Sequence, residues 1–161
     1  MASCTTFSKL MTDWKDNLLD GPDGLRELLA ATRRIAVLGI RSERFRERPA
    51  HFVPAYLVTA GFEVIPVPVY EPEVTSIFGK PVYRKLSDVP GEIDLVDVFR
   101  RAEHLMPHLD DLLATRPRAV WLQSGIFHLE FAERLARSGI KVVQNRCLMV
   151  EHRRLAGSRP G

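Results

Sequence analysis

Short, branched apolar runs alternate with helical patterns along this chain. The runs "RIAVLGI" (34–40), "FEVIPVPV" (62–69), "IDLVDVF" (93–99), "AVWLQSGI" (119–126) and "KVVQNR" (141–146) are bounded by turn residues and mostly apolar, the pattern of strands buried on both faces. Between them lie helical stretches at 54–60, 103–115 and 128–138. In the last, Leu129, Ala132, Leu135 and Ala136 share one side while Glu130, Glu133, Arg134 and Arg137 face water, so that face reads as packing. The alternation predicts an α/β fold: a doubly wound parallel sheet of five strands with helices on both faces. Ahead of it, "GPDGLRELLAATRR" sets Leu25, Leu28 and Leu29 on one stripe, predicting an N-terminal helical segment. "TDWKDNLL" predicts a further short helix capped by Thr12. Residues 3–9 read as disordered and the closing "AGSRPG" as a loose tail. The organisation is one domain throughout, with an N-terminal helical extension (1–32) ahead of the sheet and a tail (156–161).

Composition narrows the function. At 161 residues the chain has the size of one domain. Its net charge of +3 rests on 18 arginines against 5 lysines, but acidic residues punctuate nearly every basic run. That argues against a continuous nucleic-acid face. No apolar stretch approaches the roughly 20 residues of a membrane helix, and the opening segment lacks a secretory pattern. Cys4 and Cys147 are far apart, which fits free thiols in a reducing, cytoplasmic setting.

A doubly wound sheet opens a crevice at the carboxyl ends of its strands, where successive connections leave in opposite directions. The first strand feeds that crevice through "GIRSERFRERP". Gly39 lets backbone approach a ligand, and the amides that follow, near the next helix start, suit phosphate. Arg41, Arg44, Arg46 and Arg48 add mobile positive charge at the rim. The chemistry implied is an anion with several phosphates. The competing reading is a solvated loop whose arginines pair with Glu43 and Glu47. The G-x-G-x-x-G and G-x-x-x-x-G-K-[ST] patterns are both absent, which disfavours a nicotinamide-dependent enzyme and a P-loop.

The segments "IAVLGIRS", "RPAHFVPAYLVTAGFEVIPV", "IFGKPVYRKLSDVPGEIDLVDVFRR", "AVWLQSGI" and "VVQNRCLMVEHRRL" resemble, in order and spacing, the small stand-alone CoA-binding proteins of bacteria and archaea. These are similar to the Rossmann-like CoA-binding domain of the succinyl-CoA synthetase alpha subunit. The resemblance covers 33–155 and implies a Rossmann-like CoA-binding domain there, with coenzyme A, or an acyl-CoA, at the carboxyl edge of the sheet. It implies phosphates near Gly39, Ile40, Arg41 and Ser42, with Arg48 and His51 at the adjoining helix start. Val67, Pro68, Phe99, Arg100 and Arg101 would border the adenosine, and Gln123, Ser124 and Gly125 would face the crevice from the other side. Relatives carry Asn-Pro where this chain has Pro68, and a small residue where Phe52 stands; a plugged pocket would leave an interaction protein. The implied role is a non-catalytic carrier, sensor or accessory module, compatible with a homodimer or an acyl-CoA enzyme as partner. The phosphohistidine domain of the synthetases has no counterpart in the segments that match.

Other candidate groups carry less. Cys147, beside Arg146, could meet the thiol end of the ligand. His104 and His108 have the spacing of a metal pair, but Pro107 between them favours exposed side chains. His152 could shuttle a proton only with an orienting partner. Asp94 and Asp97, taken as sharing one strand face, read first as buried carboxylates bonded to loop amides and second as acceptors for a ligand hydroxyl. Phe99 and Trp121 read as core.

Overall fold

Each apolar run becomes a strand, and each strand stops short of the run that predicted it. The computed structural model describes residues 13–157. The strands are β1 (Arg34–Leu38), β2 (Glu63–Val67), β3 (Ser76–Ile77), β4 (Lys80–Pro81), β5 (Leu95–Val98), β6 (Ala119–Leu122) and β7 (Lys141–Val143). Five of them form one parallel sheet in the order β2-β1-β5-β6-β7, with β3 and β4 as a separate small hairpin. The helices are α1 (Pro22–Ala31), α2 (Pro49–Thr59), α3 (Leu109–Thr115), α4 (Leu129–Arg137) and α5 (Leu148–Gly157).

The near-continuous burial of β1, β5 and β6 follows from helices on both faces. Leu25, Leu28 and Leu29 of α1, Leu57 of α2, and Leu148 and Leu155 of α5 pack with Ile35, Val37, Leu95 and Trp121 on one side. Leu109 and Leu112 of α3 and Phe131, Ala132 and Leu135 of α4 pack with Ala36, Val96, Val98 and Val120 on the other. Trp121 also donates its indole N–H to the Arg146 carbonyl at 2.8 Å. The chain leaves β1 through α2 on the first face toward β2, and leaves β5 through α3 on the second face toward β6. The switch point therefore lies between the ends of β1 and β5. Among the described residues no helix is long and apolar enough to cross a membrane.

Several local expectations change. The stretch 103–115 is not one helix: two 3-10 turns (Ala102–His104 and Met106–His108) precede α3, because Pro107 has no N–H for a continuous helical ladder. The helix expected at 54–60 begins earlier, at Pro49, where a missing amide is tolerated. The pattern gave no sign of α5. Its buried positions Leu148, Glu151 and Leu155 include a carboxylate, which blurs the apolar stripe. At the start, Asp13 caps the Trp14–Asn17 turn by accepting from the Lys15 amide; Thr12, Cys4, residues 3–9 and the last four residues lie outside the described residues.

Candidate functional site

Gly39 follows β1 with a φ of 88°, and an added Cβ would overlap the Phe99 carbonyl oxygen. Glycine is needed here because the ends of β1 and β5 approach so closely. Its N–H donates to the Val67 carbonyl at 2.9 Å, and the Phe99 N–H donates to Leu38 at 2.8 Å. The Arg41 N–H then donates to the Ala50 carbonyl at 3.0 Å, tying the loop to the first turn of α2. Arg48 precedes that helix, with no side chain capping its amides.

The result is a cleft of about 890 Å3 at the carboxyl edge. Of the fourteen residues expected around the ligand, Gly39, Arg41, Arg48, Phe99, Arg100, Arg101, Gln123, Ser124 and Gly125 line it, together with Cys147. The other five stand behind the wall. Ile40 and Val67 are fully buried core, because each points into a packed face as its strand ends. Ser42 is buried, and its hydroxyl donates to Glu71 Oε2 at 2.6 Å. The His51 ring lies 3.1 Å through Nδ1 from the Arg41 carbonyl and packs against Phe78. Pro68 is buried too, with its carbonyl turned to Arg84. Arg44 and Arg46 do not border the cleft. Phe52 lines it without closing it.

Arg41 is pinned, in contrast to the mobile charge expected. Its guanidinium stacks 3.9 Å over the Phe45 ring and pairs with Glu71 at 3.3 Å. The anticipated partner Glu43 instead accepts from the Phe78 amide at 2.8 Å. Burial pushes the Glu71 carboxyl up, but the Ser42 hydroxyl and amide and the Arg41 charge outweigh it and hold the group below its ordinary range. Glu71 and Tyr70 reach the site on a loop organised by Arg84, whose guanidinium donates to the carbonyls of Tyr70, Glu71, Pro72 and Val74 as well as Pro68. Arg100 donates to the Tyr70 hydroxyl at 2.8 Å and to His108 Nε2 at 3.2 Å. His108 is thereby engaged with an arginine, and burial followed by the Arg100 charge lowers its pKa despite Asp111. Among the described residues no hydrogen bond or ion pair engages the guanidinium of Arg48 or Arg101, and both line the cleft.

The two aspartates do not share a face. Asp94 precedes β5 and accepts from the Arg33 and Arg34 amides, each at 2.9 Å, so it belongs to the opposite end of the sheet. Asp97 lies inside β5, fully buried, and its Oδ1 accepts from Gln123 Nε2 at 2.5 Å. Its Oδ2 has no partner among the described residues. Burial outweighs the Gln123 hydrogen bond and raises its pKa to about 7. His152 meets the Tyr56 hydroxyl at 2.7 Å and packs on Phe62, outside the cleft lining. Across the cleft, Asn145 (φ 57°) accepts from the Gly125 amide at 2.7 Å, fixing the β6 loop against the turn that carries Cys147. Tyr70, Met149 and Val150 complete walls that the sequence did not announce.

A family model described as a CoA binding domain matches residues 33–153. The Bacillus subtilis (strain 168) protein YneT is 34% identical over 128 residues, 80% of this chain and 91% of that protein. A solved Thermus thermophilus structure, cell-free ID.343, is 45% identical with a TM-score of 0.78, covering 84% of this chain and 99% of that one. The dinucleotide-forming acetyl-coenzyme A synthetase 1 of Ca. Korarchaeum cryptofilum shares the fold at 21% identity and a TM-score of 0.60, over 72% of this chain and 26% of that one.

Proposed function

The chain belongs to the CoA binding domain family, and from that premise we propose that the cleft between β1 and β5 holds coenzyme A, with the protein acting as a non-catalytic carrier, sensor or accessory module. The observation that carries this reading is the donor set. Arg41, Arg48, Arg100 and Arg101 converge on one cleft from the β1 loop, the start of α2 and the end of β5. Coenzyme A brings a pyrophosphate and a phosphate monoester, about four negative charges at neutral pH. Planar guanidinium forks suit those oxygens, and the uncapped start of α2 adds a favourable dipole. Arg41 and Arg100, held by Glu71, Tyr70 and His108, form a preorganised wall; Arg48 and Arg101 are the groups available to close on phosphate. Gln123 and Gly125 lead toward Cys147, a free thiol, which marks the end of the cleft where the pantetheine arm would run. On this reading the binding unit is 33–155, and of the segment ahead of it the described part supplies α1.

Calorimetric titration with CoA, dephospho-CoA, NAD, NADP and ATP tests this. CoA should bind best and lose affinity with added salt. Removing the 3'-phosphate or introducing Arg101→Ala should each weaken binding about tenfold or more, the scale of one charge-assisted hydrogen bond. Preference for NADP over CoA would assign the cleft to a nicotinamide enzyme. No binding by any of the five would leave an interaction protein.

A further inference from the structure

Beyond the cleft, a second cavity of about 720 Å3 opens beside β7 and the start of α5. The two share Ser124, Cys147 and Val150, so the second begins where the thiol end of the first cleft stops. Its polar wall atoms are largely consumed within the protein. Arg146 is clamped between Asp20 at 2.6 Å and Glu151 at 3.1 Å. Gln144 accepts from the His128 amide at 2.9 Å, and Asn145 accepts from Gly125. What remains is apolar: Leu18, Leu19, Phe127, Leu129, Val142 and Val150. Phe127, Leu129 and Val150 are 56%, 65% and 51% exposed. Five of the seven exposed large hydrophobic residues among those described border one or both of the two cavities. An apolar surface gathered at one mouth marks a binding site.

We infer that the second cavity is an acyl subsite: the ligand it selects is a CoA thioester whose chain passes Ser124 and Cys147 and lies along Phe127, Leu129 and Val150. The inference rests on the CoA reading of the main cleft. A free carboxylate or second phosphate is disfavoured because the one arginine in the walls already serves two carboxylates. A saturated chain needs no partner and gains from leaving water.

The test is calorimetry with CoA and acetyl-, butyryl- and hexanoyl-CoA on wild type, Leu129→Glu and Phe127→Ser. In wild type, affinity should climb with chain length by up to about fourfold per buried methylene, making hexanoyl-CoA roughly twentyfold or more tighter than CoA. Leu129 opens α4 and is exposed, a position where glutamate is tolerated. It lies outside the lining of the main cleft, so Leu129→Glu should bind CoA as wild type does. The gain from the hexanoyl chain should shrink to about threefold or less, since a charge now replaces apolar wall. Phe127→Ser should reduce the gain without adding charge. CoA binding that is flat across chain lengths, or a chain gain that persists in both variants, overturns the subsite and leaves the CoA reading standing. Failure of CoA itself to bind brings down both.

Discussion

Gly39→Ala is expected to lower the unfolding free energy by about 4 kcal/mol and to abolish ligand binding, whereas Gly61→Ala should cost only about 1 kcal/mol. Both glycines have positive φ, 88° and 98°, so both substitutions carry backbone strain. They differ in space. Around Gly61 nothing lies within 4 Å of an added Cβ, while at Gly39 it would overlap the Phe99 carbonyl. That carbonyl belongs to the end of β5, the central strand of the sheet. Relief would require β1 and β5 to part at the switch point, breaking the pairing from Leu38 to Phe99 and moving Arg41 and Arg100 away from their present separation. Thermal unfolding of the pair should place Gly39→Ala roughly 10 °C below wild type, at about 2–4 °C per kcal/mol for a chain of this size. Equal shifts for the two variants would show that the β1–β5 contact is not the constraint.

The second large effect is in pH dependence. Asp97 is fully buried with a pKa raised from 3.8 to about 7. The native state therefore holds a proton that the unfolded chain has released, and the stability this gives is complete below pH 4. It is lost as pH rises to about 7, and the curve then levels. Three pH units at 1.36 kcal/mol each make the loss about 4 kcal/mol. Asp97→Asn keeps the shape and an oxygen for Gln123 Nε2 without a titratable proton. The variant should gain on wild type by about that amount between pH 4 and pH 8 in denaturant titrations. Glu43 and Glu71, whose pKa values are lowered, lose their contribution as pH falls, the opposite sign. Their effect cancels in the difference between the two proteins. Parallel curves would mean that Asp97 is ionised in the folded state with a partner beyond Gln123.

The strand pattern was legible because strands buried on both faces leave an unbroken apolar signal. It overran at the carboxyl ends for a reason that bears on function. Gly39 and Ile40, Pro68 and Val69, Phe99, residues 123–126 and residues 144–146 continue each run in composition but leave the ladder. Several of these residues build the cleft. The glycine and arginines after β1 were visible because they fall together in one short segment. Glu71, Tyr70 and Arg84 were not. They meet Arg41 and Arg100 only through a loop whose carbonyls are gathered by one guanidinium, and no local period reports that. Arg41 therefore chooses a carboxylate thirty residues away over Glu43 and Glu47 beside it. The second cavity was equally hidden, since Phe127 and Leu129 look like an ordinary turn and helix start until the fold brings Val142 of β7 and Val150 of α5 beside them.

The most direct test of the account is a crystal structure grown with saturating coenzyme A. It should show the phosphates at the start of α2 with Arg48 and Arg101 turned onto them, and the pantetheine arm running past Gln123 and Gly125 to Cys147. A cleft filled by the Phe52 and Tyr70 side chains, with the ligand elsewhere or missing at full saturation, would contradict it.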